Sequence, residues 1–184
     1  MALEAEATSL WHFSVSVLPG LLQTPGYARE LLAAGGLQEP ELTQQVEARI
    51  GRRELLKGAD APPFRVILSE AVFRTTPRDM GDWREQLDYL AEAMERPRMT
   101  LQVLLFSAGM HGLDSTAVKF LRLPDSRTVA YVETAYRGEL IEEHAPVEHL
   151  QRAYDAMRDL ALSPAESRKF VLRMLEEVPC DSVT

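Results

Sequence analysis

Two glutamates hold the positions from which carboxylate chemistry could be done. Glu70 and Glu133 each follow a strand-like run, and Tyr131 lies two residues before Glu133, hence on the same face of a strand. If those strands are neighbours, the paired carboxylates make a ligand cleft or an acid–base pair. If they are not, each is a rim residue accepting backbone N–H bonds. A third titratable group, His111, lies in the loop Ser107-Ala-Gly-Met-His-Gly112. A histidine in a glycine-bearing loop reads as a lid or binding loop, or as an ordinary turn. Glu70, Glu133 and His111 therefore form the candidate acid–base set, with Tyr131 orienting a substrate.

Other clusters carry weaker signals. Glu142-Glu143-His144 and Glu148-His149 put five potential metal ligands within eight residues. His144 and His149 are five apart with Pro146 between them, which fits no helical ligand spacing, so a solvated strand-to-helix junction is the better reading and no metal is expected. Arg49, Arg52, Arg53 and Lys57 fall on one side of a helix, where they could bind phosphate or an acidic partner. The plainer reading is a solvated face paired with Glu47 and Glu54. In Pro19-Gly-Leu-Leu-Gln-Thr24, Leu21 and Leu22 stand between a chain breaker and a helix cap, either plugging the core or forming an apolar patch for a partner. Nucleotide-binding glycine motifs, the nucleophile elbow and His-Glu-x-x-His are all absent.

The composition narrows the partners. The chain has 184 residues, 46% of them hydrophobic, enough for one domain with a substantial core. Its net charge is −8, which disfavours direct contact with a nucleic acid. Cys180 is the single cysteine, so an internal disulfide is excluded. No secretory pattern or apolar run of membrane-spanning length is present, and a cytoplasmic location is expected.

The positioning elements follow from periodicity. Trp11, Phe13, Val15 and Val17 alternate with His12, Ser14 and Ser16, which predicts a half-buried strand over 11–17. Thr24-Pro25 opens a helix that ends at Gly35-Gly36, and a second runs from about Pro40 to Lys57. Residues 64–69 read as a strand. Thr76-Pro77 signals another helix start, with Trp83, Leu87, Leu90 and Met94 on one stripe. Further strands are expected over Met99–Phe106, Ala117–Leu123, Thr128–Glu133 and Tyr136–Ile141. Two helices close the chain, the second opened by the capping box Ser163-Pro-Ala-Glu166. The expected class is α+β, a central mostly antiparallel sheet with helices at both ends, rather than a βαβ repeat. One domain covers 1–184: an N-terminal strand and helices in 1–63, the sheet region in 64–143, C-terminal helices in 144–184.

The string Val17-Leu-Pro-Gly-Leu-Leu-Gln-Thr-Pro-Gly-Tyr-Ala28 resembles the opening motif of a domain of unknown function in actinobacterial Xre-type, antitoxin-like transcriptional regulators. Arg49–Arg53, Leu68–Arg74, Gln86–Leu90, Val103–His111, Val129–Glu133 and Ala161–Ser167 resemble further motifs of that family in the same order. In such regulators a helix-turn-helix precedes this domain, and none is present in this chain. Leu104-Leu105-Phe106 and Thr116-Ala117 stand where the family usually has a proline and a glycine.

The resemblance implies an effector- or partner-binding regulatory domain receiving a small protein or a small-molecule effector, with Pro19, Leu21, Leu22, Gln23, Gly109 and His111 at the contact surface and Glu70, Tyr131 and Glu133 at a ligand cleft. The alternative is a stand-alone enzyme of specialised small-molecule metabolism using the carboxylate–histidine set. A homodimer through the terminal helices is a third possibility. No cofactor and no membrane partner are expected.

Overall fold

The computed structural model describes residues 2–113, 115–133 and 137–179; Cys180 and the expected strand start at Tyr136 lie outside them. Strands β1 (Ser9–Ser14), β2 (Phe64–Ser69), β3 (Met99–Leu104), β4 (Val118–Arg122), β5 (Thr128–Glu133) and β6 (Gly138–Ile141) form one six-stranded sheet in the order β3-β2-β1-β4-β5-β6. Three pairings, β1–β4, β4–β5 and β5–β6, are antiparallel. The other two, β1–β2 and β2–β3, are parallel.

The class is α+β with a mixed sheet. Its parallel half corrects the reading that set βαβ connections aside. Parallel neighbours need a long crossover. Helices α2 (Pro25–Ala34) and α3 (Glu41–Gly51) supply it between β1 and β2, and α4 (Glu70–Arg74) and α5 (Met80–Ala93) between β2 and β3.

Both faces of the sheet are covered. Leu10, Val66, Leu68, Leu101, Val103, Leu121 and Val129 pack with Tyr27, Trp83, Leu87 and Leu90, and with Phe170 and Val171 of α7 (Pro164–Glu177). On the opposite face Phe13, Ile67, Phe120 and Ala130 pack with Val147, Tyr154 and Met157 of α6 (His144–Leu160). The half-buried strand expected over 11–17 is therefore a central strand, ending at Ser14, with Ser14 buried on its polar side.

Two helix starts show how local chemistry sets the ends. Ser163 and Glu166 form the predicted capping box. Helix α5, by contrast, starts at Asp79 rather than Thr76: the Asp79 carboxylate accepts the Gly81 and Asp82 N–H groups at 2.8 and 3.2 Å. A carboxylate both caps and complements the positive end of the helix. No helix among the described residues is long and apolar enough to cross a membrane.

The Pro19–Thr24 segment is bound into the core. Leu21 and Leu22 are 2% and 0% exposed, which removes both from any contact surface and corrects that expectation. The turn is held by side chains. The Tyr27 hydroxyl accepts the Leu18 N–H (3.1 Å), and the Gln23 amide donates to the Leu18 carbonyl (2.6 Å). The fully buried Gln86 of α5 accepts from Thr24 N–H (2.8 Å) and donates to the Leu22 carbonyl (2.8 Å).

Replacing Gln86 by leucine strands both backbone groups away from water, at a cost of about 1–3 kcal/mol each. Gln86→Leu is expected to lose about 2–4 kcal/mol in urea unfolding. A loss under 1 kcal/mol shows that the clasp does not hold the turn.

Candidate functional site

Strand register assembles the site. His12, Lys119 and Tyr131 are cross-strand partners on β1, β4 and β5, so one rung of the sheet presents all three on the face towards α2 and α3. Ser14 and Glu133, two residues further along, extend the same face. Gly138 of β6 lies beside them, where a Cβ would fall on the Tyr131 phenol, so the absence of a side chain there makes room for the tyrosine.

The facing wall comes from the Pro19–Gln23 turn and the end of α3. Together they enclose a cleft of about 260 Å³ lined by residues that include His12, Ser14, Gln23, Arg49, Lys119, Tyr131 and Glu133.

Hydrogen bonds fix the cationic side of this cleft. The buried Gln23, its amide nitrogen committed to Leu18, turns its oxygen to the Arg49 guanidinium (3.0 Å). Arg49 forms no ion pair among the described residues. Burial and the nearby Arg52 charge lower its pKa, against the attraction of Glu133, yet a guanidinium stays charged throughout the range in which proteins are folded.

Arg52 and Lys119 are both held by Glu4 of α1 (Ala2–Glu6). The Glu4 carboxylate accepts from Arg52 at 2.8 and 3.1 Å and from Lys119 at 2.7 Å while only 3% exposed. Burial alone would raise the Glu4 pKa. The two cations outweigh it and hold the carboxyl below its usual range.

His12 is the reverse case. Burial, reinforced by the Lys119 charge, pushes its pKa well below the usual value, so the imidazole is neutral at pH 7. Its Nε2 lies 3.2 Å from the Ser14 hydroxyl, and its buried Nδ1 has no hydrogen-bond partner among the described residues.

The sequence-predicted residues divide sharply. Pro19, Gln23, Tyr131 and Glu133 line the cleft, as do Arg49 and Arg52. The arginine cluster is otherwise dispersed: Arg53 lies over the Tyr89 ring at 3.8 Å and Lys57 pairs with Glu54 at 2.6 Å.

Glu70 does not reach the cleft. Its carboxylate accepts the Phe106 N–H (3.0 Å) and pairs with Arg74 (2.8 Å), the rim role weighed against catalysis. His111 is on the other side of the sheet, edge-on to Phe13 at 5.4 Å, with Nδ1 accepting from Leu113 N–H. Gly109 has φ +76° and is exposed, a backbone state that suits glycine alone. Glu70, Glu133 and His111 thus do not converge.

The residues that sequence reasoning missed are His12, Ser14, Lys119 and Glu4. The alternation of 11–17 already put His12 and Ser14 on one face, but that face reads as solvent until both sides of the sheet are known to be covered. In the acidic run 142–149, Glu142 lies before α6 and 3.8 Å from Arg127, while Glu148 on the helix is bonded to Arg152 at 2.8 Å; no metal-binding group of three occurs among the described residues.

A cleft with this lining occurs in a sequence whose residues 1–173 match the model of a domain of unknown function, DUF5753. The chain belongs to the DUF5753 family. No curated protein and no solved structure matches it. The DUF5753 match takes in every residue of the cleft, both walls included.

Glu4→Gln leaves two cations facing a neutral amide. We expect it to destabilise the chain by about 2–3 kcal/mol at pH 7, less than for a fully buried pair because Arg52 is partly exposed. The pH dependence has a definite sign. A carboxyl with a lowered folded-state pKa stabilises the fold above its unfolded value of about 4.3, and that stability is lost as pH falls below it. Denaturant titrations between pH 3 and 7 should show this acid-side loss in the parent and a shallower one in Glu4→Gln. Equal slopes contradict the assignment.

Proposed function

We propose that this chain is a ligand-binding regulatory domain whose cleft receives a small anion, a carboxylate or a phosphate. In this reading it is the sensing part of an Xre-like, antitoxin-like regulator of actinobacterial type, with DNA contact made by a separate helix-turn-helix. The observation that carries the ligand class is Arg49. It is a half-buried guanidinium, oriented by Gln23 and without a carboxylate partner among the described residues, in a cleft that also holds Arg52 and Lys119.

Three cations face two carboxylates, Glu4 and Glu133, at this cleft in a chain whose net charge is −8. A locally positive cleft in an acidic chain concentrates small anions while the whole surface repels polyanions. The neutral His12, the Ser14 hydroxyl and the Tyr131 phenol supply further polar contacts for orienting such a ligand.

An enzyme of small-molecule metabolism is the second reading, and the contact between Ser14 and His12 favours it. That pair resembles a nucleophile with its base. Its weakness is the buried Nδ1, which lacks the third group that orients the base in such sites.

NMR titration with inorganic phosphate and with succinate tests the binding reading. Saturable shifts should map to β1, β4, β5 and the Pro19–Gln23 turn, and Arg49→Gln should weaken binding about tenfold or more, the worth of one charged hydrogen bond. Shifts scattered over the surface, or unchanged affinity in Arg49→Gln, refute it. Hydrolysis of p-nitrophenyl acetate abolished by Ser14→Ala would place the enzyme reading first.

A further inference from the structure

The opposite face of the sheet has a second concavity with its own chemistry. Register places Arg65, Trp11 and Phe120 side by side on β2, β1 and β4, facing α6. From α6, Gln151, Tyr154, Asp155 and Arg158 project onto this rung at i, i+3, i+4 and i+7, a single helix face. These seven residues line a pocket of about 260 Å³.

Two of its polar groups have no partner among the described residues. Tyr154 is 3% exposed, and its hydroxyl is buried without a hydrogen bond. The Arg65 guanidinium forms no hydrogen bond or ion pair among the described residues. Arg158 is already engaged, bonded to Asp155 at 2.9 Å and near Asp159 at 3.6 Å. Burial raises the Tyr154 pKa, against the Arg65 and Arg158 charges, so the phenol keeps its proton and can donate it to a hydrogen bond.

A buried hydroxyl without a partner is uncommon in a folded protein, and an unpaired guanidinium beside it is a fork suited to a carboxylate. Trp11 and Phe120 supply flat apolar surface between them. The volume lies below the roughly 300–1,000 Å³ typical of drug-sized ligands, and one uncommitted cation balances one negative charge.

We propose that the Arg65–Tyr154 pocket is a second ligand site, separate from the Arg49 cleft, that takes a small aromatic monocarboxylate. The carboxylate pairs with the Arg65 guanidinium and accepts a hydrogen bond from the Tyr154 hydroxyl, while the ring lies against Trp11 and Phe120. The Gln151 amide lies at the same wall as a further polar contact.

The test uses benzoate as probe and inorganic phosphate as control, read from the Trp11 indole N–H resonance of the full chain, assigned with Trp11→Phe. Benzoate should shift this resonance saturably, phosphate should not, and Arg65→Met and Tyr154→Phe should each raise the dissociation constant at least tenfold. Arg49→Gln should leave benzoate binding unchanged, which separates this site from the cleft. Tyr154→Phe should unfold no earlier than the parent, since the hydroxyl it removes bonds to nothing, so lost binding there cannot come from lost folding. No saturable shift with benzoate, or undiminished benzoate binding in Tyr154→Phe, overturns the proposal.

Discussion

Glu4 pairs with two cations at once, and the character of the cleft follows from that. Its buried carboxylate takes three N–H bonds, from Arg52 and Lys119, and so joins α1, the end of α3 and β4. Two positive side chains can then lie beside the sheet without unfolding it. With Glu4 spent, Arg49 has, among the described residues, only the Gln23 amide as a hydrogen-bond partner and the more distant charge of Glu133 across the cleft. The neutrality of His12 comes from the same arrangement, because the Lys119 charge adds to burial in keeping its proton off. A carboxylate near the start of the sequence thus anchors Lys119, on a strand more than a hundred residues further along the chain.

The sheet gives this chemistry two sides. β1 is central, with β2 parallel on one flank and β4 antiparallel on the other. Alternation along it sends His12 and Ser14 to one face and Trp11 and Phe13 to the other. Both faces are covered by helices, so polar residues on either face must be hydrogen-bonded, charge-paired or turned towards a cavity. Ser14 and Gln23 on one side meet that requirement within the protein; Tyr154 on the other does not.

Much of this was legible in the sequence, and the failures are physical. The strands at 64–69 and 128–133, the Ser163 capping box and the buried role of Leu21-Leu22 follow from local patterns that tertiary packing did not override. The parallel pairing of β1, β2 and β3 does not. A strand's direction relative to its neighbour is set by the crossover between them and leaves no mark on the strand's own composition. The carboxylate pair shows the same limit. Glu70 and Glu133 look alike in sequence, both ending apolar runs, yet one opens α4 just after β2, where it bonds to Phe106 and Arg74, and the other ends β5 and opens onto the cleft. Gln86 carried no chemical signal at all. Its importance appears only when α5 packs against the Pro19–Thr24 turn.

The central claim is that Arg49 is held in place before any ligand arrives. Nitrogen-15 relaxation of the arginine Nε–H groups in the free chain tests it directly, with the exposed Arg122 of β4, whose guanidinium has no partner among the described residues, as the mobile reference. The Arg49 guanidinium should be as ordered as the backbone of α3. An Arg49 signal as mobile as that of Arg122 would contradict this, because a freely moving cation is a surface charge rather than part of a formed site.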